Sequence, residues 1–528
     1  MTHPTFAEAH RAIEEEETSC EALVSSFLET IDEKNDALNA FTAVDDEGAL
    51  NHARYLDSQR ERGNARPLSG LVLAVKDNIC IRSFPVTCGS KMLEEFSSLY
   101  DATAIQRLRE AGAVFIGKTN CDEFAMGSSN ETSHFGPVKN PVAPDHVPGG
   151  SSGGSAAAVR AGMCHAALGS DTGGSVRQPA AFCGTVGLKP TYGRVSRYGL
   201  VAFASSLDCI GPMANSVEDA ALLLETIAGA DPNDATSADV DVPAYREALD
   251  GGVDGLRVGL PKEYFTEGLD PDIERMVRAQ VETLSDAGAT VKEVSLPHTE
   301  YGIATYYVLA TAEASSNLAR YDGIRYGFRA DLQETKDDIR ERRAELKKEL
   351  SAARSNGNDE RAADLRTELD EQQSVLDALY TRTRTQGFGD EVKRRIMLGT
   401  YALSAGYYDD YYEKAQRVRT LIRNDFDRAF EEVDVLVTPT TPTPAFCLGE
   451  KTDDPLEMYL NDVYTVTANL AGVPGLTVPI GTHPGDPPLP VGMQLLGRHF
   501  DESLLFRVGQ VVEDQVADDE RRAEPDRR

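Results

Sequence analysis

The sequence predicts an α/β protein built around a mostly parallel or mixed β-sheet, and two observations favour that fold class. Short strand-like runs alternate with helical stretches over several hundred residues, a pattern typical of a sheet covered by helices. The hydrophobic fraction, 41%, is that of an ordinary globular protein. A chain of 528 residues is also long enough to bury a sizeable core.

The N-terminal region, residues 1–65, is predicted to be helical and to pack on the core. Apolar residues recur there at helical spacing, and residues 6–41 contain neither Gly nor Pro. Residues 66–515 form the main α/β domain in this prediction. Its strand-like runs lie at 68–79, 113–120, 194–210, 256–261, 434–442, 475–481 and 491–497.

Residues 332–379 are predicted to form an antiparallel helical hairpin that projects from this domain. They are almost purely charged and amphipathic, and an Asn-Gly pair in the middle marks a turn. In the first half an apolar residue recurs every seven positions, at Leu332, Ile339, Leu346 and Ala353. In the second half a heptad seam alternates steps of three and four, through Ala362, Leu365, Leu369, Gln372, Leu376 and Leu379.

Composition and charge exclude several classes of protein. No apolar run approaches 18 residues, and the first residues lack a basic stretch followed by an apolar one, so we expect a cytoplasmic protein that does not enter a membrane. The net charge of -33 disfavours direct wrapping of nucleic acid by this chain, and such an acidic surface is typical of a halophilic source. The eight scattered cysteines lack metal-ligand spacing and are expected to be reduced. The charged tail, 516–528, is predicted to be disordered.

Two stretches in the middle of the chain are unusually rich in Gly and Ser, at 148–158 and 169–184. A flexible linker is disfavoured because Ala-rich, helix-like segments follow. A phosphate-binding loop is disfavoured because neither stretch ends in Lys-Ser or Lys-Thr. Residues 150–154 formally fit the G-x-S-x-G nucleophile elbow, but the later histidines sit in no recognisable triad context. A different kind of serine chemistry remains.

The two loops, with AVKDNI at 74–79, resemble the core motif of the amidase signature family, GGSSGGSAAAVRAGMCHAALGSDTGGSVRQPAAFCG at 149–184. The resemblance covers nearly the whole chain outside the hairpin and the last residues. It implies a mixed central sheet with helices on both faces and a Ser–cisSer–Lys triad. Matched residue by residue, the triad is Lys76, Ser151 and Ser175, with a cis peptide bond between Gly150 and Ser151.

The chemistry of these three residue types supports the match independently. A serine hydroxyl is a poor nucleophile until a base takes its proton. Lys76 can be that base only when neutral, and its place at the end of the apolar run LVLAV would depress its pKa by burial. Ser151 would relay the proton from Ser175 to Lys76.

The run that precedes the nucleophile is predicted to form an oxyanion hole. Consecutive backbone N–H groups and two glycines would let the chain approach the substrate closely, at Thr172, Gly173, Gly174 and Ser175. Arg177 either braces this loop or lies on the surface.

Four further stretches, 313–327, 388–422, 437–446 and 459–479, resemble the A subunits of the tRNA-dependent amidotransferases, a branch of the same family. That resemblance implies hydrolysis of glutamine, with Arg395 binding the α-carboxylate and Asp462 the α-ammonium group. The rest of the expected pocket comprises Tyr306 or Tyr307 and the loop Met126, Gly127 and Ser128.

The resemblance also implies partners. The ammonia would pass to a B subunit that activates misacylated tRNA with ATP and magnesium, and a small C subunit would make the assembly a heterotrimer. Neither a P-loop nor a metal-ligand cluster is seen, so no cofactor is expected in this chain. A stand-alone amidase on another small amide, and a scaffold with a dead active site, remain the alternatives. The sequence leaves open whether the acceptor is Glu-tRNA(Gln), Asp-tRNA(Asn) or both.

Overall fold

The computed structural model describes residues 5–523 and has one 11-stranded sheet with helices on both faces. The strands are β1 (Phe41–Val44), β2 (Val72–Lys76), β3 (Val114–Thr119), β4 (Ala166–Asp171), β5 (Val186–Lys189), β6 (Cys209–Ala214), β7 (Arg257–Pro261), β8 (Thr290–Val294), β9 (Val435–Pro439), β10 (Gly475–His483) and β11 (Leu489–Leu496). Their order across the sheet is β1-β3-β2-β4-β6-β5-β10-β11-β9-β7-β8.

The helices fall into an N-terminal group, a central group and a C-terminal group. The first comprises α1 (Phe6–Glu14), α2 (Cys20–Leu38), α3 (Asp46–Glu61), α4 (Thr103–Ala111), α5 (Gly153–Arg160) and α6 (Arg177–Cys183). The second comprises α7 (Val217–Ile227), α8 (Pro271–Asp286), α9 (Gly302–Leu318), α10 (Leu332–Ser355), α11 (Asp359–Asp370) and α12 (Val375–Gly387). The third comprises α13 (Asp390–Ala402), α14 (Lys414–Glu432), α15 (Pro455–Leu460), α16 (Val466–Ala471) and α17 (Glu502–Ala523).

The sheet is mixed, as expected from the sequence. Strand β2 pairs in parallel with β3 on one side and β4 on the other, whereas β4 and β6 are antiparallel. Both faces of β2 are buried: Leu73 and Val75 lie in the main core, and Val72 and Ala74 lie in a second cluster with residues of α2, α3 and α5. Because β3, β2 and β4 run the same way, their carboxyl ends meet at one edge of the sheet.

The N-terminal region differs from the all-helical prediction in one respect. It contains α1, α2 and α3, but Phe41–Val44 form β1, which pairs antiparallel with β3 at the edge of the sheet. The helix α2 ends where Asn39 adopts a left-handed backbone conformation, with φ of 55°. The chain is thereby turned towards the sheet edge, and tertiary pairing decides the conformation of these four residues.

The predicted strands correspond to observed strands at six of seven places. The exception is 194–210, which is mostly irregular and becomes a strand only at Cys209. Besides β1, strands β4, β5 and β8 have no counterpart in the prediction. Strand β4 carries Gly169, Ser170 and Asp171, residue types that are depleted in strands, and it is formed because both neighbouring strands bury it.

The hairpin over 332–379 is present, with one break. The second half of α10 packs antiparallel on α11, and Leu346, Leu350 and Leu365 form a small separate core there. The first half of α10 packs on α12 instead, because the second arm is interrupted between Asp370 and Val375. Beyond that break Leu376 is exposed, so the predicted seam does not continue through it.

The hairpin leaves and re-enters the domain at neighbouring points. The backbone N–H of Ala330 donates to the hydroxyl of Thr383 at 3.2 Å, and Arg384 Nη1 donates to the Leu318 carbonyl at 2.8 Å. These two contacts hold the two ends of the insertion together where it joins the domain, and Ala330 and Thr383 are both buried.

The prediction of a disordered tail from residue 516 is wrong over the part of it that the structure describes. Helix α17 continues to Ala523, and residues 524–528 lie outside the described residues. Val512 is buried, Val516 packs against the main core, and Glu513 accepts a hydrogen bond from the Val217 N–H at 3.0 Å. These contacts explain why the helix persists. Within residues 5–523 no helix is long and apolar enough to cross a membrane.

Candidate active site

Lys76 is the last residue of β2 and lies at the edge where the carboxyl ends of β3, β2 and β4 meet. Its Nζ is 2.7 Å from Ser151 Oγ, 2.9 Å from Ser152 Oγ and 2.9 Å from Ser170 Oγ. The amine is fully buried, and burial lowers the pKa of Lys76 to about 8. With that pKa about a tenth of the amines are neutral at pH 7, far more than for an ordinary lysine, and only the neutral form can act as a general base.

Ser151 lies in the loop that leads into α5, and the bond between Gly150 and Ser151 is cis, as the resemblance implied. A Cβ on Gly150 would lie 2.1 Å from Asp122 Oδ2 and 2.8 Å from the backbone nitrogen of Ser129. The Gly150–Ser151 segment is therefore packed directly against the loop that follows β3. Only glycine fits at position 150 in this arrangement.

Ser175 follows β4 in a loop held by a buried ion pair. Arg177 Nε lies 3.0 Å from Asp171 Oδ2 and its Nη2 lies 3.0 Å from Oδ1, so the pairing is bidentate. Burial alone would raise the pKa of Asp171, but the Arg177 guanidinium outweighs that effect and lowers it to about 2. Arg177 is fully buried, so of the two alternatives for this residue the structure supports the brace.

The loop brings Ser175 close to the other two triad residues. The Ser175 carbonyl accepts a hydrogen bond from the Ser152 N–H at 3.1 Å. Between the described residues no hydrogen bond joins the hydroxyls of Ser175 and Ser151. Catalytic hydrogen bonds often form only when substrate is bound. The geometry thus shows the contact between Lys76 and Ser151 directly, and the backbone bond to Ser152 brings Ser175 next to the loop that carries Ser151.

The oxyanion-hole prediction needs one correction. The N–H of Gly174 donates to Asp171 Oδ1 at 2.9 Å and is therefore not free to bind an oxyanion. That bond is what shapes the loop around the nucleophile. Thr172, whose side chain donates to Asp208 Oδ1 at 2.6 Å, Gly173 and Ser175 remain candidates.

Tyr306 and Tyr307 lie on α9 and contact different parts of the site, a difference that the sequence left open. A Cβ on Gly173 would lie 2.6 Å from the Tyr306 hydroxyl, so Tyr306 is packed against the nucleophile loop. The Tyr307 ring is stacked on Tyr459 at 3.8 Å between centroids, and the Arg395 guanidinium carbon lies 5.3 Å from the Tyr307 ring centre. Tyr307 therefore contacts the predicted carboxylate-binding arginine.

Arg395 projects from α13 and is almost fully buried among aromatic rings. Its Nε donates to Glu391 Oε1 at 2.7 Å, and the same oxygen accepts from the Tyr459 hydroxyl at 2.8 Å. Glu391 was not anticipated from the sequence, although its position one helical turn before Arg395 is the spacing at which a partner would be sought. Its carboxylate fixes the direction of the guanidinium.

Asp462 is fully buried, and burial raises its pKa to about 7. Ser128 Oγ donates to Asp462 Oδ2 at 2.5 Å, which joins the loop after β3 to the segment after α15. Ser128 and Asp462 are thus brought together as predicted residues of one site. Near neutral pH the carboxyl can be ionised by a bound ammonium group, since an adjacent positive charge lowers its pKa.

A cavity of about 270 Å³ is lined by Gly127, Ser128, Arg395, Glu391, Tyr459 and Lys451, among others. The triad residues, Asp462, Tyr306 and Tyr307 are not part of its lining. Met126, predicted for the pocket, lies in the main hydrophobic core. An apolar side chain beside a turn is drawn into the core rather than towards a polar cavity.

Several buried polar residues of the site were missed by sequence reasoning. Ser152 and Ser170 share the Lys76 amine with Ser151, and Asn469 and Gln494 accept from Arg177, each at 2.6 Å. Ser152 and Ser170 lie within the two Gly/Ser stretches, so their neighbourhood was visible. Asn469 and Gln494 are hundreds of residues away along the chain, and only the fold places them there.

One further group of possible metal ligands occurs within residues 5–523. Asp270, Asp272 and His483 have ligand atoms within 4.8 Å of one another. His483 Nε2 lies 3.3 Å from Asp270 Oδ1 and 3.7 Å from Asp272 Oδ2. The group includes none of the predicted site residues.

Comparison with known proteins places these residues in context. The model of the Amidase family matches residues 22–506. The A subunit of glutamyl-tRNA(Gln) amidotransferase from Salinibacter ruber is 77% identical over 512 residues, which are 97% of this chain and 100% of that protein. The protein of the same name from Acidobacterium capsulatum is 56% identical over 97% of this chain and 99% of its own length.

Solved structures agree with the sequence relatives. The crystal structure of the A subunit of glutamyl-tRNA(Gln) amidotransferase from Thermotoga maritima has a TM-score of 0.74 and 39% identity, with 97% of this chain and 94% of that one covered. The peptide amidase of Stenotrophomonas maltophilia has a TM-score of 0.74 and 29% identity, with 97% of each chain covered. The fold is thus shared by amidases of different substrates.

Proposed function

This chain belongs to the Amidase family, and on that premise we propose that it is the glutamine-hydrolysing subunit of a tRNA-dependent amidotransferase. It converts glutamine to glutamate and ammonia, and the ammonia is used to convert Glu-tRNA(Gln), Asp-tRNA(Asn) or both to the amidated form. The observation that carries the proposal is the buried Lys76 amine, 2.7 Å from the Ser151 hydroxyl, in a chain that also has a cavity lined by Arg395. Relatives of the same length, named as the A subunits of such enzymes, support the choice of substrate.

The reaction proceeds through a covalent intermediate. Ser175 Oγ attacks the side-chain amide carbon of glutamine while its proton passes to Ser151, whose own proton passes to Lys76. The negative charge on the former carbonyl oxygen is stabilised by the backbone N–H groups that remain as candidates, those of Thr172, Gly173 and Ser175. When the intermediate collapses, Lys76 returns a proton through Ser151 to the departing nitrogen, which leaves as ammonia. Water then hydrolyses the glutamyl ester on Ser175 and releases glutamate.

The pocket selects glutamine by the two charged groups on its α-carbon. Arg395 pairs with the α-carboxylate, and Asp462 with the α-ammonium group, so the side-chain amide is directed towards Ser175. Tyr306, packed on the nucleophile loop, and Tyr307, packed on Arg395, join the two halves of the site. Gly127 and Ser128 provide the remaining wall.

The proposal extends to partners and surroundings. The B subunit holds the misacylated tRNA and uses ATP and magnesium, and the C subunit makes the assembly a heterotrimer in the cytoplasm of a halophile. This chain itself carries no cofactor in the proposed scheme. The net charge of -33 supports indirect rather than direct handling of tRNA, since phosphates are repelled by an acidic surface.

The test uses the full chain assembled with the B and C subunits, and its variant is Ser175→Ala. Glutamine-dependent amidation of Glu-tRNA(Gln) and Asp-tRNA(Asn) should disappear, while amidation with added ammonium chloride should remain near the unmodified rate, because ammonia bypasses the nucleophile. Loss of both activities in a folded, assembled complex would contradict this division of labour. A stand-alone amidase would instead hydrolyse other small amides and show no amidation with either nitrogen source.

A further inference from the structure

A single buried amide, Gln178, lies between the proton relay and the substrate pocket. Its Oε1 accepts a hydrogen bond from the Gly150 N–H at 2.8 Å, and its Nε2 donates to the Ser128 carbonyl at 2.8 Å. The side chain is fully buried in helix α6, three residues after Ser175. No role in the mechanism above has used it.

Each end of this amide reaches a different half of the site. Gly150 precedes Ser151 across the cis bond, so the hydrogen bond to its N–H fixes the segment that carries the relay hydroxyl. Ser128 donates through its own hydroxyl to Asp462 Oδ2 at 2.5 Å. Asp462 and the segment that carries the relay serine are therefore connected through Ser128 and Gln178.

The chemistry of the position requires an amide. The Gly150 side offers a donor and the Ser128 side offers an acceptor, so the bridging group must accept at one end and donate at the other. The two loops are also in close contact, since a Cβ on Gly150 would lie 2.8 Å from the Ser129 nitrogen. An apolar side chain of the same size would leave both backbone groups buried without partners.

We propose that Gln178 is a positioning residue that couples occupancy of the ammonium subsite to the geometry of the relay. When an ammonium group binds Asp462, Ser128 is held in place, and Gln178 transmits that position to the Gly150–Ser151 segment. Amides that lack an α-ammonium group do not stabilise this arrangement. The inference rests on the proposed function and adds a residue that determines its specificity.

The test compares Gln178→Leu with the unmodified full-length chain on two substrates, glutamine and butanamide, which has the amide but neither charged group. In the variant kcat/KM should fall about tenfold for butanamide and about a hundredfold for glutamine. Butanamide depends only on the position of the relay serine, whereas glutamine also depends on the position of Ser128 and Asp462. The matched control is Asn140→Leu. Asn140 is also a buried amide, which donates to the Phe182 carbonyl at 2.9 Å and to the Val147 carbonyl at 3.2 Å, and which hydrogen-bonds to neither Ser128 nor Gly150. The Asn140→Leu variant should lower the melting temperature by a similar amount, and it should leave the ratio of kcat/KM for glutamine to kcat/KM for butanamide unchanged.

A second variant, Gln178→Glu, gives a signature that lost packing cannot give. The introduced carboxyl can accept from Gly150 at any pH, but it can donate to the Ser128 carbonyl only when protonated. The ratio of kcat/KM for glutamine to kcat/KM for butanamide in Gln178→Glu should therefore approach that of the unmodified chain as the pH is lowered. Ser128→Ala removes the contact with Asp462. In a chain that carries this change, Gln178→Leu should therefore lower kcat/KM for glutamine by no more than it lowers kcat/KM for butanamide.

The outcomes separate two failures. If the unmodified chain does not hydrolyse glutamine, the proposed function is wrong. A different result would overturn the coupling alone. The unmodified chain hydrolyses glutamine, but Gln178→Leu lowers kcat/KM for both substrates by the same factor, and the glutamine preference of Gln178→Glu does not recover at low pH. Gln178 would then be a structural residue.

Discussion

Lys76 is the residue whose protonation should set the pH dependence of the reaction. Because the base must be neutral and burial lowers its pKa to about 8, the value of kcat/KM for butanamide should rise about tenfold per pH unit below 8 and level off above it. Asp462, with a pKa raised by burial to about 7, must be ionised to bind an ammonium group. For glutamine both requirements act in the same direction, so the profile below pH 7 should be steeper than for butanamide. Equal slopes for the two substrates would remove Asp462 from glutamine binding.

Arg395 should discriminate glutamine from amides that have no α-carboxylate. Loss of a charge-assisted bidentate pair costs ~2–5 kcal/mol, so Arg395→Ala should raise the KM for glutamine by at least thirtyfold or so, roughly 2 kcal/mol. Hydrolysis of butanamide should change little. The matched control is Lys393→Ala on the same helix, whose amine pairs with Asp390 at 2.8 Å and which is not part of the pocket lining. An unchanged KM for glutamine in the Arg395 variant would reopen the substrate assignment.

At this scale the sequence was informative where a local motif fixes the geometry. Lys76 and Ser151 could be paired because their motifs resemble those of the amidase signature family, and the structure places their side chains in contact. The sequence could not show that the Gly174 N–H is unavailable to an oxyanion, because that depends on the orientation of the Asp171 carboxylate, which accepts its hydrogen bond. The bridging role of Gln178 was equally invisible, because it depends on two loops that only the folded chain brings together.

The hairpin of α10 and α11 should be dispensable for glutamine hydrolysis, since none of the predicted site residues lies in it. When residues 332–379 are replaced by a short Gly/Ser linker, the glutaminase rate should stay within about twofold of the unmodified chain, while amidation of tRNA is measured separately. A gentler variant, Leu346→Ala with Leu365→Ala, removes the two best-buried seam residues, and each such change costs ~2–5 kcal/mol locally. Loss of glutaminase activity in either soluble, folded variant would show that the hairpin is not peripheral.

Helices and strands differed in how well the sequence predicted them. The hairpin helices were found because heptad spacing is local and persists over tens of residues. Strand β4 was missed because its Gly-Ser-Asp end has low strand propensity and is held by β2 and β6 on either side. The stretch 194–210 was wrongly predicted to be a strand. Its apolar residues are buried although most of it is irregular, and its conformation is held by other contacts, such as the hydrogen bond from Arg194 to the Asp241 carbonyl at 2.8 Å.

The whole molecule should be more stable at mildly acidic pH and at high salt. Burial raises the pKa of Asp208 and of Asp219 to about 6 and that of Glu513 to about 7. Groups with a raised folded pKa bind more protons when folded than when unfolded. Their contribution to stability is therefore fully present below about pH 4 and is lost as the pH rises through 6 to 7.

The net charge of -33 adds self-repulsion that ions screen. In 0.1 M salt the melting temperature should thus be ~5 °C higher at pH 5.5 than at pH 8, and molar salt should narrow that difference. Calorimetry of the full chain over a grid of pH and potassium chloride concentration measures both effects. A melting temperature that is independent of salt at pH 8 would contradict the role assigned to the acidic surface.

The clasp between Ala330 and Thr383 makes the hairpin a natural attachment point for protein engineering. Because its two ends meet where it joins the domain, a fluorescent module or an affinity handle whose own termini lie close together could replace the exposed part of the hairpin without stretching the scaffold. The same location would suit new chain termini made by circular permutation, after the original ends are joined. Cargo carried at this point would report on the enzyme while leaving the catalytic residues in their native setting.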